Sequence, residues 1–335
     1  MKAALAPVCV FVHRRVEHLS STIEALRKNN LASDSELIIF SDAAKIISQE
    51  QEIERVREYI RGISGFAKLT VVEQEASQGL SRSITAGVSK VVAEHGRVIV
   101  LEDDLVTAPY FLQFMNEGLN RYSEDFRVAS IHGYVYPVHG QLPETFFVRG
   151  ADCWGWATWS RAWDLVDWDA ARLLSQLRSL KLVEEFDLGG VAPYSVYLED
   201  LIRGENDSWA VRWHASVYLK GMLTLYPGQS LVRNIGNDGS GTHGANEKCY
   251  DVRLAERPIA VNAIPVCESD IARALFAKFW RRSKVLRAQP PSYAARWVEL
   301  SKELAFLVFV RLVRTTLRPL HSIVACIMGR ARHAP

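Results

Sequence analysis

The sequence predicts an α/β protein built on a parallel β-sheet that helices cover on both faces. Between residues 8 and 104, short runs of Val, Ile and Leu alternate with helical segments of ten or more residues, which is the pattern of a doubly wound sheet. The polar residues His13, Asp42 and Glu102–Asp104 follow three of these runs. Since ligands bind outside the carboxyl ends of the strands in such sheets, we expect a binding site at that edge.

The order of the predicted elements supports this fold class. The expected strands are VCVFVH, ELIIFSD, KLTVVEQ and RVIVLEDD, and the expected helices cover residues 18–29, 44–60 and 81–95. After residue 125 the pattern changes to a strand RVASIHGY, a tryptophan-rich block, a strand-like WHASVYLKGMLTLYP and a glycine-rich loop NIGNDGSGTHG. We therefore predict an α/β half (1–125), a mixed α+β half (126–265) and a helical, basic and amphipathic C-terminal region (266–335).

Composition and charge exclude several classes of protein. The chain has 335 residues, of which 48% are hydrophobic and 23% charged, and can therefore bury a substantial core. A formal net charge of +2 argues against binding nucleic acid through the whole surface. The five cysteines include no CxxC pair, so neither a disulfide framework nor a zinc ribbon is indicated. The same cysteine pattern fits a reducing, cytoplasmic compartment. Because no uncharged stretch reaches about 18 residues, we expect a protein that is soluble or peripheral on the inner face of the cytoplasmic membrane.

Three consecutive carboxylates, Glu102, Asp103 and Asp104, directly follow the buried run RVIVL. Like charges so close together repel one another unless a cation or protons neutralise them. Mg²⁺ and Mn²⁺ prefer oxygen ligands and commonly bridge one or two carboxylates and the phosphates of a substrate. A metal–diphosphate site is therefore indicated, the alternative being a solvated turn whose acidic residues favour the N-terminus of the following helix.

The segment VIVLEDDLVTAPYFLQFMNEGLNRY resembles the acidic metal-binding segment of GT-A-fold glycosyltransferases, in the Glu-Asp-Asp form of the N-acetylglucosaminyltransferase I group and related bacterial sugar transferases. VFVHRRVEHLSSTIEAL and LIIFSD resemble the first strand and helix and the second strand of that fold, and the resemblance covers about residues 7 to 245. It implies a GT-A-type nucleotide-binding sheet, with the nucleotide sugar on the first half and the acceptor and the base on the second.

The resemblance also implies roles for individual residues. Asp104 would ligate Mn²⁺ or Mg²⁺, while Glu102 and Asp103 would contact the ribose and sugar of the donor. Asp42 would meet the base of the nucleotide, with Arg14 or Arg15 beside it. The alternative is that Asp42 caps a helix that begins at Ala43. SQGLSRSITAGV resembles a segment that lines the donor pocket. In that segment Gly79 permits close approach of the backbone and Arg82 can contact phosphate. The alternative for Arg82 is an ordinary surface arginine.

Five tryptophans fall between residues 154 and 168. Indole faces suit sugar rings, so Trp154 and Trp156 are candidates for contact with a sugar, and a packed core is the alternative for most of the five. The GWATW stretch of this chain resembles a Gly-Trp loop of GT-A enzymes that lies against the donor sugar.

An inverting transfer needs one carboxylate as base. The residues Asp152, Glu199, Asp200, Glu205 and Asp207 are available. Asp207 corresponds best to the base of the family and Asp200 comes next, although ENDSW is also a good helix cap. From the glycine-rich loop, His243 could ligate metal or phosphate, or be an incidental histidine of a polar loop.

The predicted reaction is transfer of a sugar, with a UDP-linked donor favoured, to a hydroxyl of a glycan or lipid-linked glycan in surface polysaccharide biosynthesis. The basic and apolar segment LAFLVFVRLVRTTLRPLHSIVACIMGRARH suits an anionic membrane surface, or packing on its own domain or a second subunit. A sugar-nucleotide nucleotidyltransferase is an alternative, disfavoured because VFVHRRVEHLS lacks the glycines expected after the first strand. A non-catalytic carbohydrate-binding protein would leave the three carboxylates without a role.

Overall fold

The structure is a computed structural model that describes residues 4–238 and 248–288. The chain divides into one compact unit, Met1–Ser283, and a second unit, Lys284–Pro335, nearly all of which lies outside the described residues. The membrane-surface segment predicted near the C-terminus falls outside them too. No helix within the described ranges is long and apolar enough to span a membrane.

An eight-stranded mixed sheet forms the centre of the first unit, with strand order β3-β2-β1-β4-β8-β6-β9-β7, and a two-stranded ribbon pairs β5 with β10. The strands are β1 (Val8–Val12), β2 (Glu36–Ser41), β3 (Lys68–Glu73), β4 (Arg97–Glu102), β5 (Leu105–Thr107), β6 (Val128–His132), β7 (Thr145–Arg149), β8 (Trp156–Trp159), β9 (Leu223–Pro227) and β10 (Val232–Asn234).

Helices pack on both faces of this sheet. They are α1 (Val16–Arg27), α2 (Glu50–Arg61), α3 (Leu80–His95), α4 (Phe111–Arg121), α5 (Ser160–Trp163), α6 (Ala170–Ser179), α7 (Val183–Phe186), α8 (Tyr194–Arg203), α9 (Trp209–Leu219) and α10 (Asp270–Ala288). The predicted fold class, an α/β protein with a largely parallel sheet flanked by helices, is confirmed.

The parallel part of the sheet reverses its direction of winding between β1 and β4. β1 pairs with β2 on one side and with β4 on the other, both in parallel, and β2 continues to β3. The chain thus builds outward from β1 to β3 and then returns to the opposite side of β1. Such a switch point opens a crevice at the carboxyl ends of the two strands, where ligands of α/β proteins bind.

The two predicted halves contribute to the same sheet. β8 lies antiparallel to both β4 and β6, and joins the α/β half to the strands that follow residue 125. β9 then pairs in parallel with β6, and β7 closes the edge in the antiparallel direction. The carboxyl end of β4 therefore lies beside the start of β8 and the end of β6.

The core has a layer on each face of the sheet. Side chains of alternate residues in β1 and β4 enter different layers, one with α1 and α4 and one with α3 and α9. In the second layer Gly87 of α3 lies so close to Phe11 that an added Cβ would come within 2.7 Å of its ring. Only a glycine lets α3 approach the sheet this closely.

Two sequence predictions about elements are wrong. WHASVYLK, read as a strand, belongs to α9, which begins after Ser208 accepts a hydrogen bond from Val211 N. Most of α9 is buried, so its sequence lacks the polar face that would mark a surface helix. The second helix, expected from residue 44, starts at Glu50, and only a 3-10 turn at Ile47–Gln49 precedes it.

Candidate active site

The three predicted carboxylates lie at the switch point between β1 and β4. Glu102 is the last residue of β4 and is in register with Phe11 of β1. Asp103 and Asp104 form the turn that leads into β5, and Asp103 is only 4% exposed. Its backbone carbonyl accepts a hydrogen bond of 2.7 Å from the Thr22 hydroxyl of α1, which fixes the turn against that helix.

A guanidinium bridges two of these carboxylates. Arg15, the residue that precedes α1, donates through Nη2 to Asp103 Oδ1 and to Asp104 Oδ2, the latter at 2.7 Å. Its side chain is 21% exposed, so solvent screens these contacts only in part. Arg15 therefore offsets part of the negative charge that the sequence concentrates here.

The pKa values of the groups in this cluster are shifted from their ordinary values. Burial, followed by repulsion from Asp104 and Asp103, raises the pKa of Glu102 to about 8. Burial and then Asp104 raise the pKa of Asp103 to about 6, although Arg15 acts in the opposite direction. Burial lowers the pKa of Arg15, but the two carboxylates outweigh it, and the net shift is upward. Burial is thus the largest cause of both carboxyl shifts, and repulsion between the carboxyl groups adds to it.

The start of the glycine-rich loop lies directly against the acidic group. Ile235 N donates a 2.8 Å hydrogen bond to the carbonyl of Asp104, which extends the pairing of β5 with β10. A Cβ added to Gly236 would overlap the Asp104 carboxylate. Asp238 lies 3.2 Å from His18 Nε2 of α1. A glycine is therefore required where this loop crosses the carboxylates.

The donor set at this position suits a hard divalent cation. Among the described residues, no cluster of three or more His, Cys, Asp or Glu side chains is arranged to hold a metal ion. Mg²⁺ and Mn²⁺ sites for phosphate substrates need only one or two carboxylates, since phosphate oxygens and water complete the shell. Asp103 and Asp104 supply adjacent carboxylates with incompletely offset charge, so these residues fit such an ion.

A second polar group lies at the end of β2. Asp42 accepts hydrogen bonds from the backbone N–H groups of Ala43, Gln78 and Gly79 at 2.8 to 3.0 Å, and from the Ser77 hydroxyl at 3.2 Å. No helix begins at Ala43, so the helix-cap alternative for Asp42 is wrong. Asp42 instead holds the segment that enters α3, in which Gly79 adopts φ +73°.

Asp207 lies immediately before α9 and near the start of α3. Its carboxylate is 78% exposed and lies 3.3 Å from Arg212 Nη2. The same Nη2 atom donates to Ser81 Oγ at 3.1 Å. Ser208, not Asp207, caps α9 by accepting from Val211 N. The side chain of Asp207 is therefore not used as a helix cap.

Glu102 faces the layer of the core that lies between the sheet and the helices α3 and α9. Val98 and Val100 of β4 pack in the layer of α3 and α9, and Glu102 continues the same alternation. Ile84 near the start of α3 and Trp209 at the start of α9 belong to that layer. Arg15, by contrast, precedes α1, which packs in the other layer.

The two candidate tryptophans occupy different surroundings. Trp156 is fully buried, with its ring centroid 5.4 Å from that of Trp209 and 6.0 Å from that of Trp213. In this conformation it packs the core and presents no surface to a sugar. Trp154 is partly exposed, and its ring lies 4.8 Å from that of Tyr134 at the end of β6. Trp154 is the one that a ligand at this edge could reach.

The other predicted site residues lie farther out or outside the described residues. Arg14 pairs with Glu52 at 3.1 Å on the surface. Arg82 is exposed in the first turn of α3. Asp200 is on α8 and pairs with Arg203. His243 lies outside the described residues.

The sequence analysis did not assign Arg15 to the acidic group or Arg212 to Asp207, although the structure pairs them. Arg15 was placed beside Asp42 as an equal alternative to Arg14, because the sequence did not fix where α1 begins. Arg212 follows Asp207 by five residues, a spacing that suggests contact only once α9 is known to be a helix. The strand prediction for WHASVYLK concealed that signal.

The sequence matches no protein-family model and no curated protein. Among solved structures, a mannosyltransferase from Pyrobaculum calidifontis in complex with GDP-Man and Mn²⁺ aligns at a TM-score of 0.28 and 15% identity, over 39% of this chain and 35% of its own. S. aureus TarS 1-349 in complex with UDP-GlcNAc aligns at a TM-score of 0.30 and 12% identity, over 44% of this chain and 40% of its own. Each alignment spans less than half of either chain, and at these scores the similarities support no argument about function.

Proposed function

We propose that this protein is a glycosyltransferase that transfers a sugar from a nucleoside diphosphate sugar to a hydroxyl group. The observation that carries the proposal is the position of Glu102–Asp104 and Arg15 at the switch point between β1 and β4, beneath the start of a glycine-rich loop. A crevice at this point is where α/β folds bind nucleotides. The sequence resemblance to GT-A enzymes supports the same assignment.

The acidic group would bind the diphosphate through a divalent ion. Asp104 and Asp103 are the residues that would hold Mn²⁺ or Mg²⁺, which, when bound, offsets the charge of the leaving diphosphate. Arg15 would keep the two carboxylates adjacent and adds positive charge beside them. Glu102, on the α3 side of the sheet, would face the sugar. His243 remains a further proposed ligand.

The segment from Ser77 to Arg82 would form the opposite wall of the donor site. Gly79 lies at the start of α3 in a conformation that permits close backbone approach, and Arg82 follows in the first turn. The N-terminus of a helix favours phosphate through its free N–H groups and its dipole. Asp42 would hold this wall in place while lying next to the nucleotide base.

The base of the reaction would be Asp207. It would accept the proton of the attacking hydroxyl while the new C–O bond forms at the anomeric carbon and the bond to the diphosphate oxygen breaks. The high exposure of Asp207 leaves its carboxylate accessible to an acceptor. Asp200 is less suitable, because it is engaged by Arg203 on α8. The proposed inversion rests on the family resemblance.

The two alternative functions are less well supported. A carbohydrate-binding protein would use exposed aromatic rings; Trp156 and Trp163 lie in the core, Trp154 is partly exposed and Trp168 is 37% exposed, and the three carboxylates would have no role in such a protein. A nucleotidyltransferase would need a glycine-rich loop after β1, where this chain has His13, Arg14 and Arg15.

Release of nucleoside diphosphate from a panel of nucleotide sugars, with Mn²⁺ or with chelator, tests the proposal. We expect Asp104→Ala to lose metal-dependent nucleotide binding, and Asp207→Ala to bind nucleotide normally but to lose turnover by about 100-fold or more. GDP-Man and UDP-GlcNAc belong in the panel. Equal loss of binding in both variants would refute the division of roles, and no release from any sugar nucleotide would refute the function.

A further inference from the structure

The segment between β3 and α3 is held from two sides. Asp42 of the β2 end binds the backbone at Gln78 and Gly79, as described above. Arg212 of α9 binds the Ser81 hydroxyl on the other side. Two elements distant in sequence thus fix the wall from Ser77 to Arg82, and one of them, α9, begins two residues after Asp207.

The guanidinium of Arg212 is itself tightly constrained. Besides Ser81 and Asp207, it contacts the carbonyl of Ser208, to which Nε donates at 3.2 Å. Its central carbon lies 5.6 Å from the ring centroid of Trp168. The side chain is only 18% exposed, whereas that of Asp207 is 78% exposed. A fixed cation therefore holds an otherwise solvated carboxylate.

Such a contact has little value for stability. Ion pairs with an exposed partner typically contribute about 0 to 1 kcal/mol, because the charges are screened and a mobile side chain loses entropy. Geometry at a reacting group is worth far more, since a displacement of about 1 Å can cost on the order of 100-fold in rate. The pair of Arg212 and Asp207 is thus better suited to orient the carboxylate than to stabilise the fold.

We propose that Arg212 is a positioning residue that fixes the carboxylate of Asp207 relative to the donor wall. The inference rests on the proposed function, because it takes Asp207 as the base. Through Ser81, Arg212 ties the base to the start of α3, so that the proton acceptor and the donor wall keep one relative geometry. Arg212 itself need not touch either substrate.

Kinetics of Arg212→Gln, Arg212→Lys and Ser81→Ala test this inference, with the nucleotide sugar that the panel identifies as the probe. We expect Arg212→Gln to lower kcat by about 10-fold or more and to leave the Kd of the nucleoside diphosphate with Mn²⁺ within about threefold. Arg212→Lys should retain intermediate activity, because a cation remains. Arg178→Gln, which breaks the exposed 2.6 Å pair with Glu199, is the matched control and should leave both constants unchanged.

A double-mutant cycle supplies the sharper readout. In an Asp207→Asn background, Arg212→Gln should cause no further loss of kcat, since the group that it orients is gone. Unchanged kcat in Arg212→Gln, a parallel loss of nucleotide affinity, or additive losses in the double variant would each overturn the inference. If Arg212→Gln fails to fold, Arg212→Lys and Ser81→Ala decide the question by the same criteria. A wild-type protein that releases no nucleoside diphosphate would overturn the proposed function itself.

Discussion

Arg15 and Gly236 determine how the acidic group is arranged. Arg15 joins Asp103 and Asp104 through one nitrogen, and Gly236 allows the following loop to cross the Asp104 carboxylate. The sequence predicted the three carboxylates and their place at a strand end, since both follow from the run RVIVLEDD. It could not choose between Arg14 and Arg15, because that choice depends on the residue at which α1 begins.

Gly236→Ala should weaken metal-dependent nucleotide binding by about 10-fold or more. The added methyl group would lie 2.1 Å from Asp104 Oδ2, so either that carboxylate or the backbone at Gly236 must move. Calorimetric titration measures the effect. Gly62→Ala, where the new Cβ would meet only Tyr59 O at 3.5 Å, is the control and should bind as the wild type does. Normal binding by Gly236→Ala would show that the contact between Gly236 and Asp104 does not matter for nucleotide binding.

Binding of Mn²⁺ should strengthen as the pH rises from 6 to 8. Burial and the neighbouring carboxylates raise the pKa of Glu102 to about 8, so the negative charge that Glu102 adds beside Asp103 and Asp104 is largely absent at pH 6 and partly present at pH 8. Glu102→Gln should flatten this dependence, whereas Glu124→Gln, an exposed control, should preserve it. Titration of Mn²⁺ with nucleoside diphosphate at pH 6, 7 and 8 gives the comparison. Affinity that falls with pH would contradict the expected role of Glu102.

At the scale of elements, the parallel strands were predictable and α9 was not. β1, β2 and β4 are continuous runs of Val, Ile and Leu because they are buried on both faces. WHASVYLK contains aromatic and β-branched residues that favour strands. Ser208 as a cap and burial of nearly all of α9 override that preference, and the sequence alone gave no sign of the layer that buries it.

Gly87→Ala should destabilise the protein by about 1 to 2 kcal/mol. Alanine favours a helix over glycine by about 1 kcal/mol, but its Cβ would lie 2.7 Å from Phe11 and 3.1 Å from Phe40, whose rings stack at 4.8 Å. The cost of overpacking should therefore exceed the gain in helix propensity. Urea unfolding measures the difference, with Lys90→Ala on the exposed face of α3 as control. A more stable Gly87→Ala variant would mean that α3 can move away from the sheet at no cost.

At the scale of the molecule, one sheet and one tryptophan-rich layer join the two halves that the sequence suggested. Trp156 of β8 packs with Trp209 and Trp213 of α9 in the layer that also holds α3 and β1. The sequence marked residue 125 as a change of pattern. It could not indicate that β8 pairs with β4, because strand pairing depends on contacts between distant residues.

The unit that ends at Ser283 should therefore unfold in one cooperative step. The near-ultraviolet circular dichroism of the tryptophan layer and hydrogen exchange of the amides in β1 and β9 should give coincident urea midpoints, since loss of either half exposes the shared layer. Two separate midpoints, with β1 and β9 exchanging at different urea concentrations, would show that the halves are independent domains.

The central claim is that the acidic group binds a nucleoside diphosphate through a divalent ion. Titration calorimetry of the wild-type protein and of Asp104→Ala, with a panel of nucleoside diphosphates and nucleotide sugars in Mn²⁺ and in chelator, tests it most directly. We expect one nucleotide to bind only with Mn²⁺ and Asp104→Ala to abolish this binding. Failure of every nucleotide to bind, or equal binding by Asp104→Ala, would contradict it.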